Sequence, residues 1–427
     1  MDFLWTFGRQ TFASLRVRNY RFYFFGIGIS QIGTWMQAVA LGWLVLELTG
    51  SGTLLGGLLA LRFAPLFFGG LFGGTIVDRF DKRTLLYVTQ LVSAVLALTL
   101  SALVFFDAIA LWMLYASALF FGLIDVVDRP ARQTFIHEMV GRDNLRNAVS
   151  LNSAEVNLAR TIGPLFAGVL IATVGTAFCF FANALSYVIF FIFLTLLKSE
   201  ELHQEQGVER RVDHVFSGLR YVASQPLILT ILVVMSIIGT FTYEFQTSLP
   251  LLVHTTFLGS AADYAALLSA MGAGSVAGGL YSAGRSSLEA REFILWGLLF
   301  GVSVSIAALM PTLGLTAIVM IFVGFFSISM TSVGNAMIQL GSDAHMRGRV
   351  MSLWTMAIFG STLFGAPIIG WVGEHASPRA ALFLGGVAAI AAALYAARRH
   401  LEWRQLFSIP AFVSIRREEA SVEDTKV

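Results

Sequence analysis

Four ionisable residues stand inside long apolar runs, where a charge is costly unless it faces protein or trapped water. They are Arg62, Glu155, Arg160 and Glu244. Arg62 and Glu244 fall at similar depth, roughly 12 Å from one end of their runs at the rise of a helix. Their opposite signs suit a pair, although each could equally pair locally. Glu155 and Arg160 are about 140° apart around a helix, so they face different ways. Glu155, withdrawn from water, suits a proton carrier, with a hydrogen-bonded structural carboxylate as the alternative. Arg160 precedes Gly163-Pro164 and suits packing at the interface between the two halves of the chain, ahead of binding a substrate. Enzyme chemistry finds no footing. There is no His pair at metal spacing, no phosphate-cradling glycine loop and no nucleophile with its base. The single cysteine, Cys179, excludes an internal disulfide and a cysteine metal cluster. The expectation is a non-enzyme that needs no cofactor or metal and has no site for ATP or nucleic acid.

The elements that hold these residues are membrane helices. Of the 427 residues, 56% are hydrophobic and only 13% charged, where a soluble chain needs about a quarter charged. Runs long enough to span a bilayer occur at 22–47, 54–77, 84–106, 110–128, 148–173, 176–197, 227–253, 263–284, 292–310, 313–337, 350–373 and 380–397. The chain carries 28 Lys and Arg. Apart from Arg62, Arg160 and Arg379, all sit in the two tails or in every second loop. Cytoplasmic loops retain positive charge, so both ends are expected in the cytoplasm and the number of spans is even. The first 21 residues hold Arg9, Arg16, Arg18 and Arg21 without the apolar core of a cleaved leader.

A longer polar linker, 198–226, divides the chain into six spans and six. Within it, Val215, Leu219 and Val222 could form an apolar stripe at the membrane surface. The expected organisation is a tail (1–21), a six-helix bundle (22–197), the linker, a second bundle (227–397) and a tail (398–427). The halves look duplicated. Ser150-Leu151, Gly163 and Gly168 recur at one constant offset as Ser352-Leu353, Gly365 and Gly370. Gly73 and Arg79 recur as Gly279 and Arg285. Pro65, Pro164, Pro250 and Pro367 fall inside spans and could bend them.

Four stretches carry a family resemblance. Gly74-Thr-Ile-Val-Asp78-Arg79-Phe-Asp81-Lys82-Arg83, after span 2, resembles the signature of the major facilitator superfamily, with Asp81 where a glycine is usual. Asn19-Tyr20-Arg21, Gly42-Trp43-Leu44 and Glu47-Leu48-Thr49-Gly50-Ser51 resemble the opening of the drug and siderophore exporter branch, which includes enterobactin exporters and macrolide efflux pumps. Pro130-Ala131-Arg132-Gln133, Asn147-Ala148, Leu151-Asn152-Ser153 and Arg160-Thr-Ile-Gly163-Pro164 are similar to its passage into span 5. Arg347-Gly348-Arg349-Val350-Met351-Ser352-Leu353 resembles its entry to span 11.

The resemblance implies an all-α fold of two pseudo-repeated six-helix bundles with twelve spans. It also implies a conformational latch, built from Gly74, Asp78, Arg79, Lys82 and Arg83. Asp78 would accept hydrogen bonds from the amino-terminal end of span 11 near Ser352. Lys82 or Arg83 would pair with Asp125 or Asp128. In the resembled fold spans 1, 4, 7 and 10 line a central cavity. Polar stripes fall on them: Ser30, Thr34 and Gln37; Ser117, Phe121 and Asp125; Ser236, Thr240, Tyr243 and Thr247; Ser327, Thr331 and Asn335. Their i, i+3 and i, i+4 spacing puts each set on one helix face, where such residues either line the cavity or pack helix to helix. The same fold brings spans 1 and 2 against spans 7 and 8 at the outer side, so Arg62 and Glu244 would form an outer gate. The expected function is export of an amphiphilic small molecule, a siderophore or drug, by alternating access coupled to protons. The chain would work as a monomer across the lipid bilayer of a bacterial inner membrane. Lipid or lysolipid translocation is an alternative, and a non-transporting sensor or scaffold is another.

Overall fold

Helix starts and stops in this chain are set by short polar signals between apolar runs. A computed structural model describes residues 13–203, 214–283, 289–343 and 346–406. Within these stretches the side chains at 71–73, 75, 78, 142–143, 146, 214–217 and 400–406 lie outside the description. Span 1 is Arg18–Thr49 and ends at Gly50 in the left-handed conformation that glycine adopts without strain. Span 2, Gly52–Arg79, is capped by the Ser51 hydroxyl, which accepts from the Leu54 amide. Span 3 is Lys82–Phe105, and Asp81 caps it by accepting from the Thr84 amide at 2.7 Å. That capping role accounts for an aspartate where the resembled signature has glycine.

Spans 4 and 5, Leu111–Gly141 and Asn147–Val174, run into one another through a break at Gly141, whose φ is 64°. Span 6 is Thr176–Thr195, followed after the linker by span 7, Pro226–Thr256. Span 8 is Ala261–Ala283, span 9 Ala290–Leu309 and span 10 Leu313–Gly341. Span 11 is Arg347–His375 and span 12 Pro378–Leu406. Among the described residues, eleven helices are long and apolar enough to cross a membrane. The run expected as the eighth span does form a helix of 23 residues, but it is not among the eleven. Alanine, glycine and serine make up most of it, because span 10 lies tight along it. A Cβ on Gly324 would sit 1.8 Å from the Met271 carbonyl oxygen.

Spans 1–6 pack on one another, as do spans 7–12, and two seams join the halves: span 2 on span 11, and span 5 on span 8. The seams need bare backbone. A Cβ on Gly56 would lie 2.2 Å from the Ala366 oxygen, and one on Gly370 would lie 2.1 Å from the Gly52 oxygen. Gly272 meets Thr161, and Gly168 meets Ala265. Trp43 of span 1 stacks edge-on against His254 of span 7 at the same outer side. At the opposite end, which carries both described ends of the chain, the same two helices have no such close approach: a Cβ on Gly74 or Gly348 would meet no atom within 4 Å.

Prolines alone do not mark the bends. Span 7 breaks at Tyr243–Glu244, well before Pro250, and turns of π-helix follow at Leu252–Thr256 and, in span 11, at Met356–Gly360. The linker helix His214–Ser224 packs on the second half instead of lying free at the membrane surface. Val222 is buried, Gly218 abuts Arg349, and the Tyr221 hydroxyl accepts from the Asp343 amide, while Leu219 stays exposed. Val215 has its side chain, and Arg285 the whole residue, outside the described residues, as do most of the two expected tails.

If the glycine seam is what seals the outer side, Gly56→Leu should force the ends apart. A cysteine placed at Thr247, buried here, with Cys179 replaced by serine, should then react several-fold faster with an impermeant thiol reagent. Unchanged reactivity would show that the seal lies elsewhere.

Candidate functional site

Inside the first half, Gly122 lets span 4 press against the backbone of Arg62. A Cβ there would be 2.2 Å from the Arg62 oxygen. Three residues on, Asp125 reaches the Arg62 guanidinium at 3.2 Å. The same carboxylate oxygen accepts from Arg129 at 3.2 Å. Arg62 also covers the Phe121 ring, 5.4 Å from its centroid, and Arg129 faces Phe359 of span 11 at 5.9 Å. The expected Arg62–Glu244 gate is not formed. Because span 7 breaks there, Glu244 turns onto span 11, where Thr362 donates to it and Gly365 leaves it room. Its Oε1 is buried without a hydrogen-bond partner among the described residues.

The basic residues of the signature loop also go elsewhere. Lys82 pairs with Glu138 at 2.7 Å. Arg83 donates to the carbonyls of Leu194, Thr195 and Leu197 and to Ser199. Those carbonyls end span 6 and carry the negative end of its dipole, a natural seat for a guanidinium. Asp128 accepts from Thr89 and Gln90 and pairs with Arg132. Neither Asp125 nor Asp128 is therefore held by Lys82 or Arg83. The Asp78 side chain lies outside the described residues, Arg79 is exposed, and the exposed Ser352 hydroxyl donates to the Gly348 carbonyl of its own helix.

A mirrored contact that the sequence reading missed closes the outer side. Glu374, at the outer end of span 11, accepts from the Ser51 hydroxyl at 2.6 Å and the Thr53 amide at 2.8 Å. A carboxylate from one half thus caps the first turn of span 2 in the other, where free amides and the helix dipole favour negative charge. The one sequence signal for it is a lone acid at the end of an apolar run.

The polar stripes divide. That of span 1 faces span 6 within its own half: Gln37 accepts from Asn183 at 2.7 Å, Thr34 bonds Tyr187 at 3.2 Å, and Ser30 is buried nearby. Gly33 permits this, since a Cβ there would lie 2.4 Å from the Ser186 hydroxyl. Gln37 and Thr34 therefore bind helix to helix, while the Ser30 hydroxyl has no hydrogen-bond partner among the described residues. Ser117 donates to Leu114 in its own helix and Thr240 to Ser236. Spans 7 and 10 do meet through their stripes, Ser327 donating to the Tyr243 hydroxyl at 3.1 Å. Thr331 donates back to Ser327, Asn335 accepts from Gln339, and Thr247 is buried with its hydroxyl unpartnered among the described residues.

Glu155 is buried, with both carboxylate oxygens lacking a hydrogen-bond partner among the described residues. It packs on Gly28 of span 1 and lies within electrostatic reach of Arg132, Tyr20 and Tyr23. Arg160 donates to Asn157 of its own helix at 3.2 Å, and its buried Nε has no hydrogen-bond partner among the described residues. It lies within electrostatic reach of Tyr243 of the other half. Among the described residues, no group of three or more His, Cys, Asp and Glu side chains could hold a metal ion.

Comparison with known proteins gives this geometry a setting. Residues 9–411 match the family described as a transmembrane secretion effector. The multidrug efflux pump Tap of Mycolicibacterium fortuitum is 26% identical over 85% of this chain and 87% of its own length. The enterobactin exporter EntS of Shigella boydii is 25% identical over 84% and 86%. The staphyloferrin A transporter of Staphylococcus aureus is 30% identical over 37% of this chain and 40% of its own. Among solved structures, the POT family transporter PepTSo superposes with a TM-score of 0.71 at 12% identity, covering 91% of this chain and 99% of that one. An inward-facing, unoccupied bacterial homologue of the human lysosomal transporter Spinster gives 0.67 at 12%, covering 89% and 95%.

The shared carboxylate predicts an asymmetry. Asp125→Ala leaves two guanidiniums without an acid, whereas Arg62→Ala leaves Asp125 paired with Arg129. The first should destabilise the purified protein by about 2–3 kcal/mol and the second by about 1, as read by thermal unfolding in detergent. Equal losses would refute the sharing.

Proposed function

We propose that this chain, which belongs to the transmembrane secretion effector family of the major facilitator superfamily, exports an amphiphilic small molecule by alternating access. The observation that supports it is the Glu374 carboxylate of one half capping the first turn of span 2 in the other, beside close backbone approach at Gly52, Gly56 and Gly370 and with no such approach at Gly74 or Gly348. The relatives that carry drugs and siderophores agree with such a cargo. Both chain ends would then be cytoplasmic, the membrane the inner membrane of a bacterium, and the working unit a monomer of two six-helix bundles, 22–197 and 227–397.

In this reading spans 2 and 11, which run antiparallel, exchange caps. Glu374 of span 11 holds the first turn of span 2 in the inward-open state. Asp78 of span 2 would hold the first turn of span 11 beside Ser352 in the outward-open state, assisted by Gly74 and Arg79. One cap must break before the other forms, so the halves rock between two closed ends. Proton movement supplies the drive. Glu155 and Glu244 are the carriers the geometry favours, because each is a buried carboxyl with an unpartnered oxygen. Tyr243, Ser327, Thr331, Asn335 and Thr247 are the candidate cavity residues on spans 7 and 10.

The purified chain in proteoliposomes should move an amphiphilic dye uphill under an imposed pH gradient, without ATP. Asp78→Asn and Glu374→Gln should each fold normally and cut transport about tenfold or more, with cysteine accessibility shifted in opposite directions. Glu155→Gln with Glu244→Gln should abolish uphill movement yet keep dye binding. Full gradient-driven transport in all of these variants would remove the reading.

A further inference from the structure

A cation inside a membrane protein needs an acid, a set of acceptors or water. Three of the four guanidiniums at depth in the first half have an acid. Arg62 and Arg129 share Asp125, and Arg132 has Asp128. Arg160 has none among the described residues. Its one hydrogen bond goes to the side-chain amide of Asn157, a turn away on its own helix, and Nε is buried and unpartnered. The two other interior acids are directed away from it. Glu155 sits about 140° round the same helix against Gly28, and Glu244 lies on Gly365 of span 11.

The position of Arg160 is as informative as its isolation. It is at the middle of span 5, to within a residue. Ser327 is the middle residue of span 10, and Tyr243 lies close to the middle of span 7. Tyr243 also stands at the break in that helix and accepts from Ser327. Arg160 and the Tyr243 hydroxyl thus stand within electrostatic reach of one another, near the midpoints of spans from both halves and beside an interrupted helix. Transporters with repeated halves place their substrate sites at that depth, between the repeats and against broken helices.

We infer that Arg160, with Tyr243 and Ser327 beside it, is the anion-recognition point of the transport site, and that the exported amphiphile carries a carboxylate or another acidic oxygen group. The inference rests on the export reading for the role of the cleft but not for its chemistry. A guanidinium offers a planar fork of donors that matches such a group, and the Tyr243 hydroxyl supplies another donor. The charge that the protein leaves uncompensated is supplied by the cargo. An anionic cargo would neutralise Arg160 while it is bound, and its departure would leave that charge uncompensated again.

The test is equilibrium binding of pyrenebutyrate and of its methyl ester to the full chain in phosphatidylcholine nanodiscs, with empty nanodiscs subtracted. The two probes differ only in the charge. The carboxylate should bind at least about tenfold tighter than the ester, the scale of charge-assisted hydrogen bonds lost on esterification. Arg160→Gln should erase that preference while leaving ester affinity unchanged, which also reports that the variant is folded. Arg160→Lys should keep part of it, and Tyr243→Phe should reduce it. Equal binding of the two probes by the natural chain, no saturable binding of the carboxylate, or a preference retained in Arg160→Gln would each overturn the assignment. Because binding is read without transport, failure here leaves the export reading to the gradient experiment. Failure of pumping, conversely, leaves the anion site standing.

Discussion

Every charge carried into the bilayer has to be compensated within the protein, and that requirement arranges much of this molecule. Water cannot be counted on at depth, so a guanidinium or carboxylate draws in a partner or retains a free valence. Asp125 draws Arg62 and Arg129 together and so ties span 2 to span 4. Asp128 gathers Arg132, Thr89 and Gln90 and ties span 4 to span 3. The first half is stitched by its own charges. Among the described residues, both oxygens of Glu155, one oxygen of Glu244 and the Nε of Arg160 are buried without a hydrogen-bond partner.

The same economy operates at the helix ends. The carbonyls that close span 6 take Arg83, and the amides that open span 2 take Glu374. The first contact lies within one half and is compatible with any relative position of the halves. The second crosses between halves and holds only while the outer ends are together. Close backbone approach at Gly56, Gly52 and Gly370 makes that end tight, and the cap makes it breakable, since a surface carboxylate can exchange its hydrogen bonds for water.

The membrane class and the positions of the helices were legible in the sequence. Hydropathy, charge placement and glycine spacing are local properties that the chain cannot hide. Arg160 was placed between the halves because Gly163-Pro164 follows it. Partner choice was less legible. Arg62 and Glu244 matched in depth and sign, yet depth along a helix says nothing of rotation around it. Gly122 brings Asp125 up to Arg62, and the break in span 7 turns Glu244 away. The span 1 stripe was visible as a stripe, but the helix it faces was set by Gly33 and Asn183.

By itself, then, the sequence determined that apolar helices cross a membrane, roughly where each begins, and that a few charged residues are buried among them. Period, length and composition suffice for that, because the bilayer acts as a solvent on each helix separately. Only the tertiary structure decided that Glu374 caps span 2 across the halves, and that Arg160 has no acid beside it among the described residues. Those facts depend on the rotation and crossing of helices distant in sequence, set by small differences in how closely two backbones can approach.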